Sequence, residues 1–152
     1  MGDGGKLYAG FTADFAEKMA KLCAKADYII PNMTEVSYLL DIPYTEVYDE
    51  AFIKDCLRKL AGLGCRVPVI TGVHYDDKLQ GAMAYDSAED KFYSSFRENI
   101  RRPIHGTGDI FASVFTGAVV LGKPIQEVLD IAVQYTVDCI NATLPNIDEM
   151  WY

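Results

Sequence analysis

A short glycine-rich segment is the part of the sequence best suited to chemistry. It reads Gly106-Thr107-Gly108-Asp109 and opens a strongly apolar stretch. Glycine lets the backbone approach a ligand closely, and the first unpaired N–H groups of a helix attract an anion. Asp109 falls in the first helical turn, where a carboxylate either caps the helix or accepts the proton of a ligand hydroxyl during phosphoryl transfer. The segment predicts a phosphate cradle, with an ordinary glycine turn as the alternative.

Two further polar segments follow predicted strands, at Asn32 to Glu35 and at Thr71-Gly72. Asn32 with Glu35 three positions later fits a capping box, and Glu35 could also meet a magnesium-bound water. Ligands of α/β sheets collect at the carboxyl ends of the strands, so these segments and the cradle could converge on one ligand. Residues outside them are weaker candidates: Asp3 and Tyr8 in a glycine-rich opening loop, and His74 and His105, interpreted as loop or packing residues.

The elements that position these segments are predicted from periodicity and capping signals. Helices are expected after Thr12, Asn32 and Asp49, over 107–121, and from Pro124 to about residue 143. Strands are expected at 27–30 and 67–71, with an antiparallel pair at 82–85 and 91–96. The first helix should be amphipathic, with one apolar face formed by Phe11, Phe15, Met19, Leu22 and Ala26. Helix 107–121 is apolar on nearly every side, which predicts central burial. This order indicates an α/β sheet covered on both faces, with an antiparallel addition near one edge.

Composition narrows the class of protein. The chain has 152 residues, half of them apolar, and a formal net charge of -8. This predicts one globular domain and argues against a general nucleic-acid partner. The most apolar run, 110–121, is too short to span a bilayer, so no membrane partner is expected. Four widely spaced cysteines predict reduced thiols and therefore the cytoplasm.

The segments 1–8, 27–35 and 105–112, taken in this order, resemble the carboxyl-terminal part of a pyridoxal (pyridoxine, pyridoxamine) kinase of the ribokinase-like superfamily. The resemblance covers nearly all of the chain. Gly-Thr-Gly-Asp followed by an apolar and an aromatic residue suits the vitamin B6 branch. The related hydroxymethylpyrimidine kinases often have cysteine where Asp109 stands, so Asp109 favours the pyridoxal side.

This resemblance implies a partial three-layer α/β sandwich, with a mostly parallel central sheet and an antiparallel edge pair. It implies ATP and Mg²⁺ as cofactors, with a monovalent cation such as K⁺, and a vitamer of pyridoxal as the substrate. Asp109 would take the proton of the 5′-hydroxymethyl group as that group attacks the γ-phosphate of ATP. The remaining implied roles are an anion hole (Gly106, Thr107, Gly108), a magnesium site (Asn32, Glu35, with Asp3 close by) and nucleotide contacts (Asp3, Tyr8, Thr71, Gly72, Val73, with the segment before the cradle).

The resemblance also implies what residues 1–152 leave out. They form a single domain that matches the carboxyl-terminal, ATP-binding part of the family. The family also has an amino-terminal half, which carries most of the pyridoxal pocket and much of the homodimer contact. We therefore expect little or no kinase activity from this chain alone, and self-association through exposed sheet edges. A hydroxymethylpyrimidine kinase and a non-catalytic nucleotide-binding module are the alternatives.

Overall fold

The computed structural model describes residues 1–100 and 104–145. These residues form a two-stranded sheet, a four-stranded sheet and five helices. The strands are β1 (Gly2–Asp3), β2 (Lys6–Leu7), β3 (Tyr28–Ile29), β4 (Val67–Val73), β5 (Leu79–Asp86) and β6 (Lys91–Glu98). The helices are α1 (Ala13–Cys23), α2 (Met33–Leu40), α3 (Glu50–Gly62), α4 (Thr107–Val120) and α5 (Ile125–Thr143). Within the described ranges no helix is long and apolar enough to cross a membrane.

The larger sheet has the strand order β3-β4-β5-β6. β3 pairs with β4 in parallel, and the β4–β5 and β5–β6 pairings are antiparallel. The α/β class and the predicted antiparallel pair are therefore confirmed. The expectation of a mostly parallel sheet is not met in the described residues, because β5 and β6 add two antiparallel pairings to a single parallel one.

Two apolar clusters cover the two faces of this sheet. Along β4, Val67 and Val69 point into one cluster and Ile70 and Val73 into the other. The first cluster is built with α4 and α5, and the second with α1, α2 and α3. Each contains fully buried residues, so both faces of β4 and β5 are dry. The result is a three-layer arrangement of helices, sheet and helices, as the resemblance implied.

The predicted helix starts are confirmed where a side chain caps them. Thr12, Asn32 and Asp49 accept hydrogen bonds from the backbone N–H groups of Phe15, Glu35 and Phe52, in that order. Each cap satisfies one of the N–H groups that a helix end leaves unpaired.

The buried face of α1 is only partly the predicted one. Met19 and Ala26 pack against the core as predicted, whereas Phe11, Phe15 and Leu22 are 38%, 37% and 62% exposed. Ala16 and Cys23 are the buried residues of the helix. α1 packs chiefly against α2 rather than against a strand. The large apolar side chains therefore lie beside the contact between the two helices and not within it.

α4 is also less buried than its composition predicted. Only Phe111, Phe115 and Ala118 of this helix are buried, and Val120 is 79% exposed. The helix lies on one face of the sheet and packs against α5, so its other side has no described neighbour to cover it. The expectation of central burial was wrong.

Candidate active site

The amino-terminal residues form a small hairpin that is fastened to the start of α2. The sequence indicated a loop here, but β1 and β2 pair antiparallel. The Asn32 side-chain amide donates to the Gly2 carbonyl at 2.9 Å, and the Gly5 N–H donates to the Thr34 hydroxyl at 2.9 Å. The α-amino group of Met1 contacts Glu35 Oε1 at 2.6 Å. These contacts place Asp3 beside the amino-terminal end of α2.

Gly5 shows why this docking needs glycine. Its φ is +77°, and a Cβ atom at this position would lie 2.6 Å from the ring of Tyr44. A side chain would therefore be both strained and in collision with a packed ring. Thr34 and Tyr44 were given no role from the sequence, because their partners lie about thirty residues or more away along the chain.

Asn32 and Glu35 form the predicted capping box. Asn32 Oδ1 accepts from the Glu35 N–H at 2.9 Å, and Glu35 Oε2 accepts from the Asn32 N–H at 3.1 Å. Glu35 Oε1 accepts from the Met1 amine, so both carboxylate oxygens are engaged. Among residues 1–100 and 104–145 no three His, Cys, Asp or Glu side chains are grouped to hold a metal ion directly. These two residues fit a hydrated Mg²⁺, which keeps several of its waters, better than a directly coordinated one.

Thr71 lies next to Asn32. The two residues form an isolated parallel bridge, and the Thr71 N–H donates to the Pro31 carbonyl at 3.0 Å. The register of β4 shifts between Thr71 and Val73, where Gly72 has a φ of +71°. Val73 is fully buried, backbone and side chain together, so it offers no surface to a nucleotide in this structure. Part of the segment before the cradle, 101–103, lies outside the described residues.

His74 has the packing role that the sequence indicated. Its Nδ1 lies 3.0 Å from the Gly72 carbonyl oxygen and 3.3 Å from the Tyr48 hydroxyl oxygen. Because a carbonyl only accepts, Nδ1 carries the proton in this arrangement. The imidazole therefore supports the turn that ends β4.

The glycine segment has the geometry of an anion cradle. Gly106 is the N-cap of α4 with a φ of +84°, and no side chain caps the helix. A Cβ atom built at Gly106 or at Gly108 would have no heavy atom within 4 Å, so the space beside this turn is open. Below the cradle, Phe111 and Phe115 anchor the helix in the core. An uncapped, rigidly held helix start is free to bind an anion.

Asp109 lies in the first turn of α4 with its side chain exposed. This carboxylate makes no capping hydrogen bond with the described residues at the start of α4, so the capping alternative has no support from a hydrogen bond. An exposed carboxylate next to an open anion cradle can accept a proton from a bound hydroxyl.

Tyr8 is influenced by carboxylates from separate segments of the chain. Burial raises the pKa of the Tyr8 hydroxyl, and the negative charges of Asp3, Glu35 and Asp109 raise this pKa further. The convergence of these segments on one ligand stays a prediction.

A separate cleft of about 710 Å³ lies between α1 and α2. Its lining includes Ala16, Tyr38 and Tyr44, and it does not include Asp109 or the cradle. The cleft is therefore not part of the candidate site.

Comparison with known proteins identifies the family of the chain. The family model of phosphomethylpyrimidine kinase matches residues 5–149. A structure from Bacteroides thetaiotaomicron, described as a phosphomethylpyrimidine kinase, is 34% identical with a TM-score of 0.91, over 95% of this chain and 50% of that one. A second crystal form of it, with pyridoxal, is 35% identical with a TM-score of 0.88, over 94% of this chain and 51% of that one. Pyridoxal kinase from Lactobacillus plantarum is 30% identical with a TM-score of 0.84, over 95% and 51%. Comparison with curated proteins gives no match.

The fold and these matches assign the chain to a family of ribokinase-like kinases. The chain belongs to the phosphomethylpyrimidine kinase family, whose model covers nearly all of it. It spans about half the length of the solved structures that it matches.

Proposed function

We propose that this chain supplies the ATP side of a kinase that phosphorylates the 5′-hydroxymethyl group of pyridoxal, pyridoxine or pyridoxamine. The observation that carries the proposal is the uncapped start of α4, where Gly106 is left-handed and Asp109 is exposed beside open space. Similar proteins were solved with pyridoxal and, in Leishmania donovani pyridoxal kinase, with ADP and pyridoxamine; the latter is 25% identical with a TM-score of 0.83.

In this proposal the cradle, Asp109 and the nucleotide-binding residues have separate roles. The backbone N–H groups at Gly106, Thr107 and Gly108 hold the oxygens of the transferring phosphoryl group, which is a task of positioning and electrostatics. Asp109 accepts the proton of the attacking hydroxyl. The ribose and phosphates of the nucleotide lie against the backbone of Thr71 and Gly72 and against Tyr8.

Magnesium would lie over the carboxylates around Tyr8. Asp3 and Asp109 offer exposed oxygens, and Asn32 with Glu35 would hold metal-bound waters. The ion would neutralise phosphate charge near three carboxylates that would otherwise repel ATP. We also propose K⁺ as an additional cofactor, because the family resemblance implies a monovalent cation.

Calorimetric titration tests the nucleotide part of the proposal. Mg-ATP should bind the purified chain, and Gly106→Ala should weaken this binding at least about tenfold by straining the cradle. Gly117→Ala is the matched control, because it makes the same change later in α4, outside the cradle, where a Cβ atom meets nothing within 4 Å. If Mg-ATP gives no heat with the wild-type chain, the cradle does not bind nucleotide.

Product formation tests the kinase part. Because the chain spans about half of the kinases that it matches, we propose that its own turnover of pyridoxal is low. Turnover at ordinary enzyme rates that is abolished by Asp109→Asn would contradict low activity and support Asp109 as the base. Binding of Mg-ATP without any binding of pyridoxal would favour the non-catalytic nucleotide-binding module.

The second candidate substrate is a hydroxymethylpyrimidine. The description of the matching family model favours it, whereas Asp109 favours pyridoxal. Parallel assays with both alcohols decide between the substrates.

We propose that the chain works in the cytoplasm. The cysteines at 23, 56, 65 and 139 are all free thiols, which is typical of a reducing compartment.

A further inference from the structure

The turn at the end of β4 contains a residue that the strand pairing leaves out. The register of β4 and β5 pairs Thr71 with Ala82 and then Val73 with Gly81. Gly72 lies between them without a partner in this register, and it is exposed with a φ of +71°. The extra residue of such a bulge interrupts the hydrogen-bonded ladder. The pairing of β4 with β5 therefore does not fix the orientation of the Gly72 peptide.

The side chain of His74 contacts this peptide directly. Its Nδ1 lies 3.0 Å from the Gly72 carbonyl oxygen, and because a carbonyl oxygen only accepts, Nδ1–H is the donor. A peptide group is planar, so holding the carbonyl also fixes the peptide plane that follows Gly72. The imidazole thereby limits the conformational freedom of an exposed glycine.

Tyr48 holds the imidazole in place. The Tyr48 hydroxyl oxygen lies 3.3 Å from His74 Nδ1, and the two rings meet edge to face with centroids 5.6 Å apart. Tyr48 also stacks on Phe52 of α3 at 6.2 Å and meets Tyr75 at 6.3 Å. Tyr48 and Phe52 both pack against the core cluster on this face of the sheet. The imidazole is therefore attached to a packed part of the molecule, and a rotation of its ring would break several contacts.

The peptide that His74 holds belongs to the proposed nucleotide segment. On the other side of Gly72, the Thr71 N–H donates to the Pro31 carbonyl at 3.0 Å, and Thr71 forms a parallel bridge with Asn32. Thr71 is thus fixed by the chain that follows β3, whereas Gly72 is fixed by a side chain. A segment held in one conformation before binding loses less freedom when its ligand arrives.

We propose that His74 is a positioning residue for the nucleotide, and that it holds Gly72 in the conformation that meets the ribose and phosphates of Mg-ATP. The imidazole acts through the Gly72 carbonyl and touches neither the nucleotide nor the metal. This inference rests on the proposed function and adds to it a residue outside the cradle. Loss of the Nδ1 donor should lower the affinity for Mg-ATP, because the segment must then be ordered at the moment of binding.

Two amide variants separate the Nδ1 donor from the rest of the imidazole. The amide nitrogen of asparagine takes the place of Nδ1, and that of glutamine takes the place of Nε2. In calorimetric titration of the full chain with Mg-ATP, His74→Gln should bind about fivefold more weakly, whereas His74→Asn should stay within about twofold of the wild type. Tyr48→Phe keeps the ring and removes the hydroxyl, so its effect should be smaller than that of His74→Gln. Tyr93→Phe is the matched control, since the Tyr93 hydroxyl donates to Glu89 near the other end of β5.

Urea unfolding of the same variants shows whether a change is only structural. Both amide variants lose the ring contact with Tyr48, so both should lose stability to a similar extent, and a merely structural role of His74 would weaken Mg-ATP binding equally in both. Equally weak binding by the two variants, or binding by His74→Gln as tight as in the wild type, would overturn the inference. A wild-type chain that gives no heat with Mg-ATP would overturn the proposed function and this inference with it, so the wild type tells the two failures apart.

Discussion

Asn32 joins the start of α2 to the amino-terminal hairpin, and its replacement should loosen both. Asn32→Ala removes the acceptor for the Glu35 N–H and the donor to the Gly2 carbonyl, two bonds of 2.9 Å each. Loss of an N-cap costs about 0.5–2 kcal/mol, and loss of a partly buried hydrogen bond costs about 1 kcal/mol. We expect the free energy of unfolding to fall by about 2 kcal/mol.

Two companion variants separate the cap from the hairpin contact. Asn32→Asp keeps an oxygen for the cap but places another oxygen against the Gly2 carbonyl, so it should lose about 1 kcal/mol or more from the hairpin contact alone. Thr12→Ala removes only the cap of α1, an exposed bond of 3.3 Å, and should cost about 0.5 kcal/mol. Urea unfolding followed by circular dichroism measures all three variants. Hydrogen exchange at Tyr8, whose N–H donates to the Met1 carbonyl at 3.1 Å, reports on the hairpin.

The reasoning fails if Asn32→Ala costs no more than Thr12→Ala, or if Asn32→Asp leaves the hairpin as protected as in the wild type. Titration with Mg-ATP adds a further comparison. If Asn32 acts through the cap and the hairpin, the affinity for Mg-ATP should follow the loss of hairpin protection across the variants. A loss of affinity in Asn32→Asp with full hairpin protection would instead indicate a direct role at the metal.

Three other predictions concern the cradle, a tyrosine and the thiols. Gly106→Ala should destabilise the chain by about 1 kcal/mol, because Gly106 has a φ of +84°, whereas Gly108→Ala in the helix should be neutral or stabilising in urea unfolding. Burial raises the pKa of Tyr75 to about 12, with Glu50, Tyr48 and Asp49 adding to it. The folded state therefore holds this proton more tightly, and stability should fall as the pH rises from about 10 towards 12. Tyr75→Phe should flatten that slope in unfolding curves measured at several pH values. Burial raises the pKa of the Cys65 thiol to about 11, so iodoacetamide should modify the half-buried Cys139 first, as peptide mass spectrometry can check; prior labelling of Cys65 would contradict this.

The sequence predicted best what depends on a few neighbouring residues. The caps at Thr12, Asn32 and Asp49 each need only a side chain and an N–H three positions ahead. The left-handed turn before α4 needs only Gly106. Such features can be predicted because their partners are close along the chain.

The hairpin was missed for the opposite reason. Its strands have two residues each, too few for any alternation, and its fastening contacts join Gly2 to Asn32 and Gly5 to Thr34. The position of Asp3 beside the start of α2 depends on that fastening. The family resemblance implied that Asp3 lies close to Asn32 and Glu35, but the residues alone could not predict the hairpin that holds it there.

The wrong faces of α1 and α4 have a common physical cause. Periodicity reports which side chains avoid water, and it does not report what covers them. Phe15 and Leu22 on α1, and Val120 on α4, have the apolar character of core residues, yet the described residues provide nothing that packs on them. The sequence of both helices is therefore suited to a larger buried surface than the described residues form.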